Sequence, residues 1–243
     1  MSIWGKVIGG AAGFALGGPL GALAGAVAGH AVDRLRAAKT PSAEEQRQAA
    51  FSIAVIVLAA KMAKTDGVVS RAEINTFKRI FHVPPGDLRK VGRLFDQAKR
   101  DAAGFEPYAR QVKRLFADSP WVLEELLDGL FLIAKSDQTV HPAELEFLGR
   151  IAAIFGFDEA QFERIAASHV APREADPYEV LGLGRDVSDA ELRTAYRRLV
   201  REHHPDKLIA QGMPQEFIDV ANGKLASIND AYARIRHQRG QGT

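Results

Sequence analysis

The 243-residue sequence contains no cysteine. Disulfide bonds, thiolate metal ligands and cysteine nucleophiles are therefore excluded. An excess of charge of one sign is lacking as well, because 32 basic and 30 acidic side chains leave a formal net charge of +2. A nucleic-acid-binding domain would carry a dense basic surface, so no nucleic-acid partner is predicted.

Sustained alternation of apolar and polar residues is also missing, so we predict an all-α protein. Hydrophobic residues make up 47% and charged residues 26% of the chain, a composition typical of folded domains. The predicted organisation is an N-terminus at 1–6, an apolar helix at 7–32, a basic junction at 33–41, a helical bundle at 42–170, a linker at 171–176 and a second helical unit at 177–243.

Residues 7–32 contain no Asp, Glu, Lys or Arg. As a helix they would extend about 39 Å, enough to cross a hydrocarbon core of about 30 Å. One basic residue precedes the segment and three follow it, so a single span with the N-terminus outside and the bulk of the chain cytoplasmic is predicted. A cleaved signal or a peripheral hairpin is the alternative, although glycines and Pro19 interrupt the apolar core that a signal needs.

Six glycines lie four residues apart in this segment. They are Gly9, Gly13, Gly17, Gly21, Gly25 and Gly29. Small residues at this spacing let helices approach closely in lipid. The row predicts a homodimer through the membrane helix, and Pro19 is the feature that argues against a straight helix.

The segment 42–170 contains an internal repeat. AKTDGVVSRAEINTFKRI at 63–80 aligns without gaps with AKSDQTVHPAELEFLGRI at 134–151, an offset of 71 residues. Apolar residues at i, i+3 and i+6 indicate helix faces that are turned inward. Two copies packed together predict one bundle of about seven helices.

Each copy of the repeat carries two acids near its turn. They are Asp66 and Glu73 in the first copy and Asp137 and Glu144 in the second. Glu73 follows Ser70 at capping-box spacing, and Glu144 follows Pro142 at the third position of a helix, so helix capping explains both. Four carboxylates related by a repeat are also candidate ligands of a divalent cation, and partner docking is a third explanation.

The turn-plus-acid pattern of the repeat resembles the TerB domain, a small helical bundle of proteins linked to tellurite resistance and membrane stress. The resemblance covers 42–170 and implies that the acids are candidate metal ligands. The second copy departs from the first at Gln138, which replaces Gly67. An alternative function follows from this resemblance, a membrane-associated stress or divalent-metal-binding scaffold that acts through the bundle.

Capping signals divide 177–243 into three helices. Pro177 opens a short helix that ends at Gly182, a capping box at Ser188 begins a longer one, and a third follows Pro214. The positions of the third helix that we predict to face inward are Phe217, Val220, Ile228, Ala231, Tyr232 and Ile235.

The triplet His204, Pro205 and Asp206 follows the second helix of this unit. Pro205 ends the helix and makes an exposed turn, so packing does not require the two polar side chains beside it. No nucleophile or third metal ligand lies at motif spacing, so neither catalysis nor metal binding is predicted there. The preceding helix carries a row of arginines at i, i+4 and i+8, which is either a solvated face or a docking face.

The segments DPYEVLGL, AYRRLVREHHPDK and KLASINDAYARI resemble the J domain of DnaJ co-chaperones. The resemblance implies docking on a DnaK-type chaperone and stimulation of its ATPase. It also implies that this chain is not itself an enzyme and needs no cofactor, because ATP belongs to the partner. The docking residues implied by matching position are His204, Pro205, Asp206, Arg193, Arg197, Arg198, Arg201 and Lys207.

The two ends of the chain resemble the DjlA-type membrane-anchored co-chaperones, at IWGKVIGG, GGPLGAL, GHAVDR and EHHPDKLIAQGMP. That family has the same order of membrane segment, TerB-like bundle and C-terminal J domain. The resemblance implies an inner-membrane protein whose J domain faces the cytosol, with a role in envelope-stress or capsule signalling.

Overall fold

The computed structural model of the chain describes residues 17–28, 42–64, 71–80, 83, 85–100, 104–135, 140–169, 176–210 and 215–240. Within these ranges the chain forms helices and no strand, which confirms the all-α prediction. The predicted site residues outside the described part are Gly9, Gly13, Gly29, Asp66, Asp137 and the side chain of Glu73.

Twelve helices lie in the described part. They are α1 (Gly18–Ala28), α2 (Ala43–Met62), α3 (Arg71–Ile80), α4 (Leu88–Arg100), α5 (Glu106–Leu115), α6 (Pro120–Ala134), α7 (Pro142–Phe155), α8 (Glu159–Ala167), α9 (Pro177–Leu181), α10 (Asp189–Glu202), α11 (Pro205–Ala210) and α12 (Gln215–Gln238). Helices α2 to α8 make the bundle of seven that the repeat predicts. Helices α3 and α7 begin at residues 71 and 142, so their starts are separated by the offset of the repeat.

Helix α2 lies at the centre of the bundle, where it contacts α4, α5 and α6. Its last 14 residues read AAFSIAVIVLAAKM, and every side chain from Ala49 to Met62 is buried. A helix that is apolar on all sides is stable only when neighbours cover all of it. The bundle therefore encloses this apolar segment and arranges amphipathic helices around it.

Helix α7 shows how the second copy of the repeat uses its acid. Pro142 is the first residue of the helix, and the Glu144 carboxylate accepts a hydrogen bond from the His141 N–H at 2.9 Å. The capping explanation is confirmed for Glu144. The helix ends at Gly156, whose φ of +100° is a left-handed conformation that favours glycine.

The C-terminal unit consists of α9 to α12. Asp176 caps α9, which ends at Gly182 in a left-handed conformation, and Ser188 with Glu191 forms the predicted capping box of α10. Helices α10 and α12 pack through apolar side chains that include Leu199 and Ile228. The helical hairpin is confirmed, and α11 is an addition that the sequence-based prediction does not contain.

The first half of α12 lies in a different core from the one the sequence predicts. Phe217 is buried, but it packs in the core of the bundle, with its ring centroid 4.2 Å from that of Phe51. Its ring also covers Gly129 of α6, where an added Cβ would lie 3.0 Å from the ring. Leu208 of α11 joins the same core. Around Leu208 and Phe217, the bundle and the C-terminal unit therefore share one hydrophobic core.

Helix α1 is the described part of the apolar segment 7–32. It begins at Gly18, and both Gly17 and Gly18 have a φ of +58°, so Pro19 lies in its first turn rather than in the middle of a longer helix. Gln111 holds this start by accepting from the Leu20 N–H and donating to the Gly17 carbonyl oxygen, each at 2.9 Å. Helix α1 packs on α4, α5 and α2. None of the described helices has the length and apolarity needed to cross a membrane.

Candidate partner-docking site

The tip of the C-terminal unit carries the triplet 204–206, named here the His-Pro-Asp loop. The His204 side chain is 48% exposed and the Asp206 side chain 80% exposed. The His204 Nδ1 accepts a hydrogen bond from the Asp206 N–H at 3.3 Å. Pro205 is the first residue of α11, a position where its missing N–H costs nothing. The loop is a compact turn that presents both polar side chains to solvent, as predicted.

A basic surface runs along α10 toward the loop. Its arginines are exposed, as is Lys207 on α11. Two arginines are held against their own helix, because the Arg193 Nε donates to the Asp189 carbonyl at 3.1 Å and the Arg201 Nε to the Arg197 carbonyl at 3.4 Å. Such a surface can attract and orient an acidic partner. The residues of this surface are Arg193, Arg197, Arg198, Arg201 and Lys207.

A buried cluster of charged side chains lies between α6 and α12. Three acids of α6 belong to it, Glu124, Glu125 and Asp128, and all are almost completely buried. Lys224 of α12 enters between them, and its Nζ donates to Glu124 and, at 2.6 Å, to Asp128. The cluster therefore joins a helix of the bundle to a helix of the C-terminal unit.

Two further bundle side chains complete the partners of these acids. The Arg164 Nη2 donates to Glu124 at 2.8 Å, and the His169 Nε2 lies 2.6 Å from the Asp128 Oδ1. The stem of Arg164 also lies against Gly182, where an added Cβ would approach its Cδ to 2.8 Å. Glycine is therefore required at Gly182 for this close approach as well as for its positive φ.

His203 brings the cluster to the base of the His-Pro-Asp loop. It is buried, and its Nδ1 lies 3.2 Å from the Glu125 Oε1. Its Nε2 lies 3.4 Å from the Glu124 Oε1 without the alignment of a hydrogen bond. Within the described part of the chain, this Nε2 and the Glu125 Oε2 are buried without a hydrogen-bond partner.

The acids of the cluster respond differently to burial. Burial alone would raise the pKa of Glu124, but the combined effect of Lys224, His203 and Arg164 outweighs it and lowers that pKa to about 2. The same opposition, with Lys224 as the main positive charge, lowers the pKa of Asp128. Burial dominates at Glu125 and raises its pKa. The acids also raise the pKa of Lys224 against the effect of its burial. The cluster is therefore built around a charged lysine and two ionised carboxylates.

The sequence-based prediction missed this cluster, although α6 carries a signal for it. The helix reads PWVLEELLDGLFLIA, with three acids and no basic residue in a surrounding that is otherwise apolar. Carboxylates are almost never fully buried unless they are paired. Acids inside an apolar helix without a local partner therefore indicate a base from another element.

The metal prediction depends on side chains that are mostly outside the described part, since only Glu144 of the four acids has a described side chain. Among the side chains that the structure describes, no group of three or more His, Asp or Glu residues is arranged to hold a metal ion. Divalent-metal binding by the bundle stays a prediction.

Three family models match the chain in succession. A model described as the co-chaperone DjlA transmembrane domain matches residues 1–49, the tellurite resistance protein TerB model matches 52–167, and the DnaJ domain model matches 176–238. The C-terminal unit is thus a J domain, the bundle is TerB-like, and the first 49 residues match a segment associated with membranes.

Relatives over the whole chain carry one description, co-chaperone protein DjlA. The protein of Photobacterium profundum is 31% identical over 98% of this chain and 99% of its own length. The protein of Vibrio cholerae is 32% identical over 99% of both. The protein of Coxiella burnetii is 30% identical over 97% of both. No solved structure matches the chain.

Proposed function

Because the chain belongs to the family of DjlA co-chaperones, we propose that it docks on a DnaK-type chaperone and stimulates that chaperone's ATP hydrolysis. The observation that carries the proposal is the exposed His-Pro-Asp loop beside the basic surface of α10. Both face solvent, although His203 before the loop and Leu208 beyond it are buried. The accessible surface is thus the one that the J-domain family uses for its partner.

The chain acts by binding rather than by catalysis in this proposal. Its loop and arginines meet an acidic surface of the partner, and steering by complementary charge brings the two together. The nucleotide is bound and hydrolysed by the chaperone, so this chain needs no cofactor. A weak dependence of the stimulation on salt would count against docking through the basic surface.

Membrane attachment completes the proposal. The match of residues 1–49 to a transmembrane-domain model supports anchoring in the inner membrane. We place the N-terminus outside and the bulk of the chain in the cytoplasm, since basic residues concentrate after the apolar segment. The lack of cysteine allows a direct test, because Ser2→Cys should react with an impermeant thiol reagent from outside and Ala117→Cys should not. The opposite pattern would reverse the topology.

A homodimer through the glycine row and a role in envelope-stress signalling are finer parts of the same proposal. The glycine spacing supports close helix packing in lipid. Gly13→Leu is expected to weaken self-association in a membrane reporter, whereas Ala12→Leu, which is not part of the glycine row, should leave it intact. Equal self-association of the two variants would refute a dimer contact through the glycine row. For the signalling role, an envelope-stress reporter should lose its response to overproduced chain on His204→Gln, and an unchanged response would refute that role.

The central experiment measures ATP hydrolysis by a DnaK-type chaperone with the full chain in lipid nanodiscs. The wild-type chain should accelerate hydrolysis, and His204→Gln and Asp206→Asn should each abolish the acceleration. His237→Gln is the matched control, since His237 is an exposed histidine of the same domain at the far end of α12. A wild-type chain without effect, or an active His204→Gln variant, would overturn the proposal.

A further inference from the structure

The end of the J domain that carries the His-Pro-Asp loop is attached to the bundle. Phe217 inserts into the bundle core over Gly129 and against Phe51, and Leu208 is buried in the same core. The core of the J domain itself is formed by other side chains, around Leu199 and Ile228. Phe217 and Leu208 therefore stabilise the contact between the two domains and are not part of the core of the J domain.

The centre of the attachment is ionic. Lys224 is the only lysine of α12, and its Nζ is enclosed by Glu124 and Asp128 of the bundle. The hydrogen bonds from a buried ammonium to two carboxylates depend on direction, whereas apolar contacts do not. Helix α12 can thus lie on α6 in one register only, because a displaced lysine would leave buried charges unpaired.

The attachment reaches the loop from both sides. His203 directly precedes the loop and contacts the Glu124 and Glu125 carboxylates, while Leu208 follows it and is 1% exposed. Between these two buried residues, His204 and Asp206 are open to solvent. The backbone path of the loop is therefore determined by residues that the bundle holds.

We propose that the TerB-like bundle is an intramolecular docking platform for the J domain, and that Lys224 and Phe217 are positioning residues that hold the His-Pro-Asp loop ready for the chaperone. This proposal rests on the function proposed above. A partner that meets a loop already in its bound form does not have to order it, so docking lowers the cost of binding. An undocked J domain keeps its loop and arginines but loses this advantage.

The docked arrangement can be measured in the full chain, which has no native cysteine to remove. Spin labels at Ala153→Cys on α7 and Ala233→Cys on α12 occupy two exposed alanines, one in each domain. The wild-type background, diluted with an excess of unlabelled chain so that only distances within one chain are measured, should give one narrow distance distribution. Lys224→Met and Phe217→Ala should each broaden it, since they remove an ionic and an apolar contact of the same attachment. Lys113→Met, an exposed lysine of α5, is the matched control.

Stimulation of the chaperone ATPase tests the consequence for function. Lys224→Met should raise the co-chaperone concentration needed for half-maximal stimulation by about fivefold or more, the lower end of typical coupling between sites. The maximal rate should stay the same, because the exposed loop is intact. Lys224→Arg keeps the charge and should restore much of the affinity. Circular dichroism of each variant separates loss of docking from loss of folding.

The outcomes distinguish the two proposals. A wild-type chain that gives a narrow distance distribution but no stimulation would overturn the proposed function and leave the docking intact. A broad wild-type distribution, or a narrow one in both Lys224→Met and Phe217→Ala, would overturn the platform. Broadening without any change in half-maximal concentration would overturn the positioning role.

Discussion

His203 and His204 are neighbours in the sequence and differ sharply in their surroundings. His203 is 3% exposed and lies between carboxylates of α6, whereas the His204 side chain is 48% exposed at the tip of the J domain. One residue therefore joins two domains, and the next is open to a partner. The comparison shows that the loop is built at the boundary between an internal attachment and an external docking site.

The same contrast separates Lys224 from the arginines of α10. Lys224 is buried and paired with two carboxylates, while Arg197 is exposed on the basic surface. Exposed ion pairs contribute little to stability because water and salt screen them. Buried charges are strongly destabilising when one partner is removed. Removal of one charge should therefore weaken the attachment at α6, whereas the exposed charges of α10 remain available for binding.

Lys224→Met should have the largest effect on stability. It tests the buried charge in the comparison between Lys224 and the arginines of α10. The change leaves Glu124 and Asp128 without their ammonium, so the free energy of unfolding is expected to fall by about 3–5 kcal/mol. Chemical denaturation of the full chain in detergent measures the loss. Lys113→Met should change the same quantity by less than about 0.5 kcal/mol. Equal effects of the two variants would contradict the distinction between buried and exposed lysines.

Gly129→Ala should have the next largest effect and tests the apolar part of the attachment. An added Cβ would lie 3.0 Å from the Phe217 ring, which is fully buried and also packs against Phe51. Overpacking costs about 1–3 kcal/mol and is offset by about 1 kcal/mol of helix propensity, so a net destabilisation of about 1 kcal/mol is expected. Phe217→Leu in the same chain should relieve it. A stabilised Gly129→Ala variant would show that the ring is not held in place.

The sequence predicts each domain better than it predicts their attachment. The repeat offset of 71 residues places α3 and α7, and the capping box at Ser188 places the start of α10. These signals are local, because periodicity and capping depend on residues a few positions apart. The partners Lys224 and Asp128 are 96 positions apart, and no local pattern connects them. Phe217 is apolar at an inward position of its helix, and the sequence does not specify which core it enters.

Glu125→Gln should have a smaller effect that depends on pH. Burial holds the folded-state pKa of Glu125 above its ordinary value of 4.5. The folded chain therefore binds this proton more tightly than the unfolded chain, and the stability that it gives is full below pH 4.5 and is lost as the pH rises through the raised pKa. Glutamine has no proton to lose. The free energy of unfolding of Glu125→Gln, relative to wild type, should thus increase as the pH rises above 4.5.

Glu124 and Asp128, in the same cluster, should make stability depend on pH in the opposite direction. Their pKa values are lowered in the folded chain, mainly by Lys224 against the effect of burial. Their contribution is present above the ordinary carboxyl pKa and is lost as the pH falls toward 2. If the effect of Glu125→Gln did not change with pH, the assignment of a raised pKa to Glu125 would be wrong.

Replacing the arginines of α10 should have the smallest effect on stability. It tests the exposed charges in the same comparison. In the triple variant Arg193→Gln, Arg197→Gln and Arg201→Gln, the midpoint of unfolding is expected to stay unchanged, since exposed charges contribute little. The half-maximal concentration for ATPase stimulation should rise, and its dependence on salt should weaken. An unaltered salt dependence would exclude this surface from partner docking.

The most direct measurement compares His203→Gln and His204→Gln in the ATPase assay and in unfolding of the full chain. His204→Gln should lose stimulation at every concentration and keep the unfolding free energy of the wild type. His203→Gln should unfold more easily and still reach the full rate at high concentration. A His204→Gln variant that stimulates hydrolysis like the wild-type chain would contradict the account.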